Sequence, residues 1–159
     1  MPEIAAATTA GVYLVDDGEL DPRPLIELLV GRAAAIHLPV VEEDDVMRFR
    51  SWDTVSPLTE GRWGIPVPAE PSQTRSADEL DVVIAPLVAV DRHGTRIGRG
   101  AGYYDRALAH RLERVGRPVI IGYAHHFQLV DDTLPRHSWD VPLDVLVTGE
   151  QQILRWTEA

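Results

Sequence analysis

A chain of 159 residues, 45% hydrophobic and 25% charged, suits one globular domain with a sizeable core. Its net charge of −10 excludes a general nucleic-acid or anionic-membrane binder, so any anion site must be a local arginine cluster. All 15 basic residues are arginine and cysteine is absent, which removes lysine chemistry, disulfides, thiolate metal sites and a Cys nucleophile. No apolar run reaches the roughly 18 residues of a membrane span. The N-terminus lacks the basic segment and long apolar core of a signal peptide. The expectation is a cytoplasmic monomer or weak homodimer whose partners are small molecules, not nucleic acid or membrane.

In chain order, Gly11 to Val15 reads as a first strand and Asp16 to Asp21 as an acidic loop. Asp21 can cap a helix that carries Pro22 or Pro24 in its first turn and ends near Gly31. Ala33 to Val41 reads as a second strand, and Met47 to Trp52 alternates as a shorter strand or edge ribbon. Thr54 to Ala77, with four prolines, reads as an ordered crossing loop that Trp63, Ile65 and Val67 can dock. Asp81 to Pro86 is a buried-type strand. Tyr103 to Val115 is a helix, with Tyr104, Leu108, Arg111, Leu112 and Val115 at helical spacing. Pro118 to Tyr123 and Leu143 to Thr148 are further core strands. Strands alternating with helices predict a three-layer α/β fold, a mostly parallel sheet with helices on both faces, in one domain spanning residues 1–159. Ligands of such sheets bind at the carboxyl ends of strands, where the loops after Val15, Ala85 and Tyr123 would gather.

Chemistry concentrates between Ile84 and Arg106. Gly98, Gly100 and Gly102 let backbone N–H groups approach a phosphate, and the residues after them read as a helix start, which attracts anions. Arg96 and Arg99 bracket the glycines and offer forked donors to phosphate oxygens. Asp105 is placed to hold Mg²⁺ beside a nucleotide, or simply sits favourably in a helix first turn. The plain alternative for the glycines is a tight strand-to-helix loop. Tyr103 and Tyr104 lie about 100° apart on a helix, so spacing alone sends one to the core and one to the pocket. Adjacent His125 and His126 do not make a zinc site, and no Ser-His-Asp arrangement is present.

The run Gly98-Arg99-Gly100-Ala101-Gly102-Tyr103-Tyr104-Asp105-Arg106, after Asp91-Arg92-His93-Gly94, resembles the signature of 5-formyltetrahydrofolate cyclo-ligases, or methenyltetrahydrofolate synthetases. The resemblance extends to Tyr13-Leu14, Gly18-Glu19-Leu20-Asp21, Met47-Arg48-Phe49-Arg50, Trp63-Gly64-Ile65-Pro66, Phe127-Gln128 and Asp140-Val141-Pro142-Leu143-Asp144, in family order. It implies a sheet related to the sugar-phosphate isomerase and CoA-transferase type. It also implies an ATP site of Arg96, Gly98, Arg99, Gly100, Ala101, Gly102, Tyr103, Tyr104 and Asp105, with Arg99, Tyr103 and Asp105 catalytic. Ala101 keeps the backbone donors but lacks the charge of the lysine found there in some relatives. Mg²⁺ would be held by Asp105, with Asp144 a second candidate that otherwise caps or orients the last loop. The folate would meet Glu19, Met47, Trp63, Ile65, Pro66 and Tyr103; the alternatives are a solvated loop for Glu19 and core packing for Trp63.

The implied reaction closes 5-formyltetrahydrofolate to 5,10-methenyltetrahydrofolate and converts ATP to ADP and phosphate. The competing readings are a catalytically weak or inactive folate or nucleotide binder of the same fold and, by fold analogy alone, a sugar-phosphate isomerase. The family's opening helical segment, which carries a lysine and an arginine on ATP, is expected to be missing before the first strand. With no lysine elsewhere, activity is expected to be reduced.

Overall fold

The computed structural model describes residues 1–15, 18–69, 72–114, 116–149 and 153–156. The elements in chain order are α1 (Pro2–Ala6), β1 (Thr9–Gly11), α2 (Arg23–Val30), β2 (Ala35–Val41), β3 (Met47–Trp52), β4 (Leu58–Glu60), β5 (Pro66–Pro68) and β6 (Thr74–Arg75). They continue with β7 (Val82–Ala85), β8 (Ala89–Asp91), β9 (Arg96–Ile97), α3 (Tyr103–Leu108), β10 (Val119–Ala124), β11 (Leu129–Val130), β12 (Val145–Thr148) and β13 (Ile153–Arg155). Among the described residues the main sheet has eight strands in the order β13-β12-β10-β7-β1-β2-β3-β6. From β12 to β2 it is parallel, and β13, β3 and β6 add antiparallel edges.

Alternating side chains along the parallel strands build a core on each face. Val82, Ile84, Ile121 and Val145 pack with Ile4 of α1 and Leu25, Ile26 and Leu29 of α2. Val83, Ala85, Ile120 and Leu146 face the other way, onto Leu108 of α3 with Met47 and Phe49 of β3. Helices therefore cover both faces, as the alternation of elements predicts.

The first strand, Thr9–Gly11, shares only Gly11 with the expected Gly11 to Val15, for a definite reason. Asp81, at the foot of β7, accepts the Thr8 N–H (2.7 Å), the Thr8 hydroxyl (2.7 Å) and the Thr9 N–H (3.0 Å). The β1–β7 pairing starts from that anchor. Val12 makes a last bond to the His37 carbonyl (2.9 Å), and the chain then leaves the sheet. The predicted loop begins at Asp16, outside the described residues. The expected crossing loop contains a hairpin of β4 and β5. Pro66 and Pro68 disguise it, yet β5 pairs only with β4, so the missing N–H groups face no second strand. The expected helix from Tyr103 to Val115 is shorter. After Leu108 it tightens into a 3₁₀ turn over Ala109–Leu112, Leu112 is 39% exposed, and Val115 lies outside the described residues.

The strand order reverses direction between β1 and β7. From β1 the chain crosses through α2 to β2 on one side; from β7 it crosses through α3 to β10 on the other, over the opposite face. At such a switch point the loops after the two strands diverge and leave a crevice at their carboxyl ends.

Burial alone would raise the Asp81 pKa, but the Thr8 hydroxyl, the Thr8 and Thr9 N–H groups and the Arg117 guanidinium outweigh it and hold the carboxyl below the ordinary range. Its stabilising contribution is present above the unfolded pKa of about 4 and is lost as pH falls through the depressed value. Asp81→Ala is expected to cost about 2–3 kcal/mol at neutral pH, read by urea denaturation. The gap to the parent chain should shrink under acid; a gap that persists at pH 2 would contradict the role.

Candidate active site

The two diverging loops meet in the crevice. Tyr13, at the end of the β1 segment, donates its hydroxyl to the Leu20 carbonyl (2.6 Å) and pins the loop that carries Glu19. Asp21 accepts the Arg23 N–H (3.0 Å), which starts α2 as the sequence predicts. So held, the half-buried Glu19 places Oε1 3.5 Å from Nη2 of Arg99, on the glycine turn of the other loop. Glu19 is not a solvated loop carboxylate; its side chain is 14% exposed.

Asp91 sets the base of the turn. Fully buried, it accepts the N–H groups of His93 (2.8 Å), Thr95 (2.9 Å) and Leu134 (3.1 Å). Gly94 between them has φ +80, and a Cβ there would come within 3.0 Å of the Leu143 carbonyl oxygen. Beyond β9 the chain runs through Gly98 to Gly102. Gly100 (φ +91) and Gly102 (φ +67) take the left-handed conformation, and nothing lies within 4 Å of a Cβ built at Gly100. The turn presents bare backbone, and Ala101 beside it is exposed and uncharged. Gln128, in the loop after β10, donates to the Leu87 carbonyl (2.8 Å) and ties a third loop to this edge.

The two arginines of the motif part company. Arg99 is half exposed at the crevice. Arg96 does not present a free fork to the surface: its side chain is 4% exposed and its Nη2 donates to Oδ1 of Asp105 (2.8 Å). The same oxygen accepts the Val141 N–H (3.0 Å), so Asp105 joins the glycine turn, α3 and the segment before β12. Among the described residues no partner falls on Oδ2 of Asp105. Since α3 has six residues, a helix dipole contributes little at this turn.

Asp144 is not brought to this crevice. It lies just before β12, at the opposite edge of the parallel sheet. Arg111 donates to both its oxygens (2.8 and 2.9 Å), and Oδ2 also accepts the Ile120 N–H (2.8 Å). Both side chains of this pair are 8% exposed. Asp144 is thus bonded to Arg111 and to the Ile120 backbone, which orients the start of β12. Among the described residues no cluster of three or more His, Cys, Asp or Glu has a metal-binding arrangement.

Tyr103 and Tyr104 diverge. The Tyr104 hydroxyl is buried and has no hydrogen-bond partner among the described residues. Burial, and then the charge of Glu19, pushes its pKa well above the ordinary value, so it is a neutral donor. Tyr103 turns outward to Trp63, ring centroids 5.5 Å apart and tilted by 49°. Core packing is not the role of Trp63: it is 61% exposed at the tip of the β4–β5 hairpin, followed by exposed Ile65 and Pro66. Met47, also expected at the folate, is 6% exposed and belongs to the core cluster against which Tyr103 and Tyr104 pack. Asp45, Arg62 and Arg106, which surround Tyr103, had no sequence signal beyond an acidic turn and scattered arginines.

A mostly parallel sheet covered by helices on both faces, with a glycine turn at its switch point, defines the class of three-layer α/β proteins. The family profile described as the 5-formyltetrahydrofolate cyclo-ligase family matches residues 1–149. A 5-formyltetrahydrofolate cyclo-ligase of Escherichia coli K12 is 39% identical over 150 residues, covering 92% of this chain and 81% of the relative. One from Haemophilus influenzae is 34% identical over 145 residues, covering 89% and 76%. The solved 5,10-methenyltetrahydrofolate synthetase of Aquifex aeolicus superposes with a TM-score of 0.81 at 33% identity, over 100% of this chain and 77% of that one. This chain belongs to the 5-formyltetrahydrofolate cyclo-ligase family, a family of ATP-dependent ligases.

Asp144→Asn is expected to cost about 3 kcal/mol, because Arg111 is left buried beside a neutral group. The Mg²⁺ dependence of turnover should stay unchanged in the folded variant. A raised Mg²⁺ requirement would return Asp144 to the metal site.

Proposed function

We propose that this chain closes 5-formyltetrahydrofolate to 5,10-methenyltetrahydrofolate at the expense of ATP, with both substrates in the crevice between the loops after β1 and β7. The observation that carries the reading is the approach of Glu19 and Arg99, which joins the folate loop to the phosphate turn. A formyl amide is a poor electrophile and its oxygen a poor leaving group. Transfer of the γ-phosphoryl group to that oxygen, with ADP departing, cures both. The neighbouring folate amine then attacks the formyl carbon, loses its proton, and expels phosphate as the ring closes.

Such a reaction asks the protein for alignment and charge neutralisation, not a covalent nucleophile. The backbone N–H groups of Gly98 to Gly102 and the Arg99 guanidinium bind the phosphates. The neutral Tyr104 hydroxyl, unpartnered among the described residues, donates to an oxygen of the bound substrates. Glu19 accepts from the amino-pteridine edge, and Trp63, Ile65, Pro66 and Tyr103 form its wall. Mg²⁺ fits this donor set, because it is usually held by one or two carboxylates plus substrate phosphates, and Oδ2 of Asp105 is such a donor. Bound there it would neutralise phosphate charge. The reading includes a single domain, a cytoplasmic monomer or weak homodimer, and kinship of the sheet with sugar-phosphate isomerase and CoA-transferase sheets. Among the described residues no helix is long and apolar enough to cross a membrane.

The near-ultraviolet absorbance of methenyltetrahydrofolate tests the reaction: it should rise with Mg-ATP and stay flat without it, and a flat trace with Mg-ATP would overturn the proposal. Tyr104→Phe deletes a buried hydroxyl that has no partner among the described residues. Its melting temperature should be unchanged or higher, while turnover falls about tenfold. A loss of stability with normal turnover would show the hydroxyl to be structural.

A further inference from the structure

Trp63 is exposed, sits on a small hairpin and has φ +57, a left-handed conformation that is uncommon for a bulky residue. Something must hold it against Tyr103. The turn between β2 and β3 supplies the hold. Asp45 accepts two hydrogen bonds on Oδ1, from the Arg62 guanidinium (2.6 Å) and from the Tyr103 hydroxyl (2.8 Å). Arg62 in turn lies 4.6 Å over the Trp63 ring, and the Trp63 and Tyr103 rings touch. Asp45, Arg62, Trp63 and Tyr103 thus close a ring of contacts drawn from three separate segments of chain. Arg106, 4.6 Å over the Tyr103 ring, buttresses it from α3. Asp45 itself has φ +62, so its own turn is shaped to bring the carboxylate there. Its pKa is held below the ordinary range, first by the Tyr103 hydroxyl and then by Arg62, so the clasp is charged at neutral pH.

We infer that Asp45 is a positioning residue for the folate ring: it clasps the Trp63 hairpin to Tyr103 and so preforms the aromatic wall. The inference rests on the reading of Trp63 and Tyr103 as that wall. The two rings are already in contact, so the flat pteridine lies on the exposed face of the pair, not between its members. A wall assembled before binding spares the substrate the ordering of a hairpin, which appears as a lower KM for folate with little change in kcat.

The test is steady-state kinetics on Asp45→Ala, Trp63→Ala and the double variant, at saturating Mg-ATP. Asp45→Ala should raise the KM for 5-formyltetrahydrofolate about tenfold, the scale of one lost aromatic platform. Its KM for ATP and its kcat should stay near the parent values. Because Asp45 acts through Trp63, the double variant should resemble Trp63→Ala alone. Arg62→Lys, which keeps the ion pair, should recover most of the affinity that Arg62→Ala loses. If Trp63→Ala leaves the folate KM unchanged, the wall itself is wrong. If Trp63→Ala raises it and Asp45→Ala does not, or if the two effects simply add, the clasp is refuted while the wall stands. Should Asp45→Ala fail to fold, the Arg62 variants at the other end of the same pair decide the matter by the same comparison.

Discussion

The reversal of strand order between β1 and β7 is the constraint on which the rest depends. Two neighbouring parallel strands send their chains to opposite sides of the sheet, so their exits part and come together again where Glu19 approaches Arg99. Asp81 fixes the other end of the same strand pair by taking three donors of Thr8 and Thr9. With the base stapled, the positions of Glu19 and of the glycine turn follow from short lengths of chain. The crevice is therefore a consequence of topology, and its chemistry depends on which side chains the two exits carry.

Those side chains are supported by interactions that do no chemistry. Tyr13 holds the Glu19 loop, Asp91 holds the hairpin beneath the glycines, and Arg96 holds Asp105. Each support is a buried or half-buried polar group hydrogen-bonded across a turn or loop of a few residues, and Asp91 also reaches Leu134. Fixing a group in this way costs entropy during folding and spares it during binding, which is how an enzyme that works by alignment gains rate.

Much of this was legible in the chain, and the limits were physical. β7, β10 and β12 are legible because buried strands read as runs of Val and Ile, whereas β1, Thr9-Ala10-Gly11, carries no such run; the β3 boundaries, Met47 to Trp52, agree outright. The β4–β5 hairpin was hidden by Pro66 and Pro68, whose tolerance depends on an unpaired edge that only the assembled structure reveals. Gly98 to Asp105 is legible as a turn at the strand ends, but residue type could not tell which charges were committed. Arg96 and Arg99 look alike in sequence, and only one reaches the crevice. Asp105 and Asp144 look alike too, and one is locked to Arg111 at the far edge. Asp45 was invisible, because its partners are 17 and 58 residues away.

The most direct measurement of the central claim is a structure of this chain with a non-hydrolysable ATP analogue and 5-formyltetrahydrofolate bound together. The account requires the terminal phosphate against Gly98 to Gly102 and Arg99, the formyl oxygen facing that phosphate, and the Tyr104 hydroxyl hydrogen-bonded to one of the two ligands. Either ligand bound away from the crevice between β1 and β7, or a Tyr104 hydroxyl still without a partner, would contradict it.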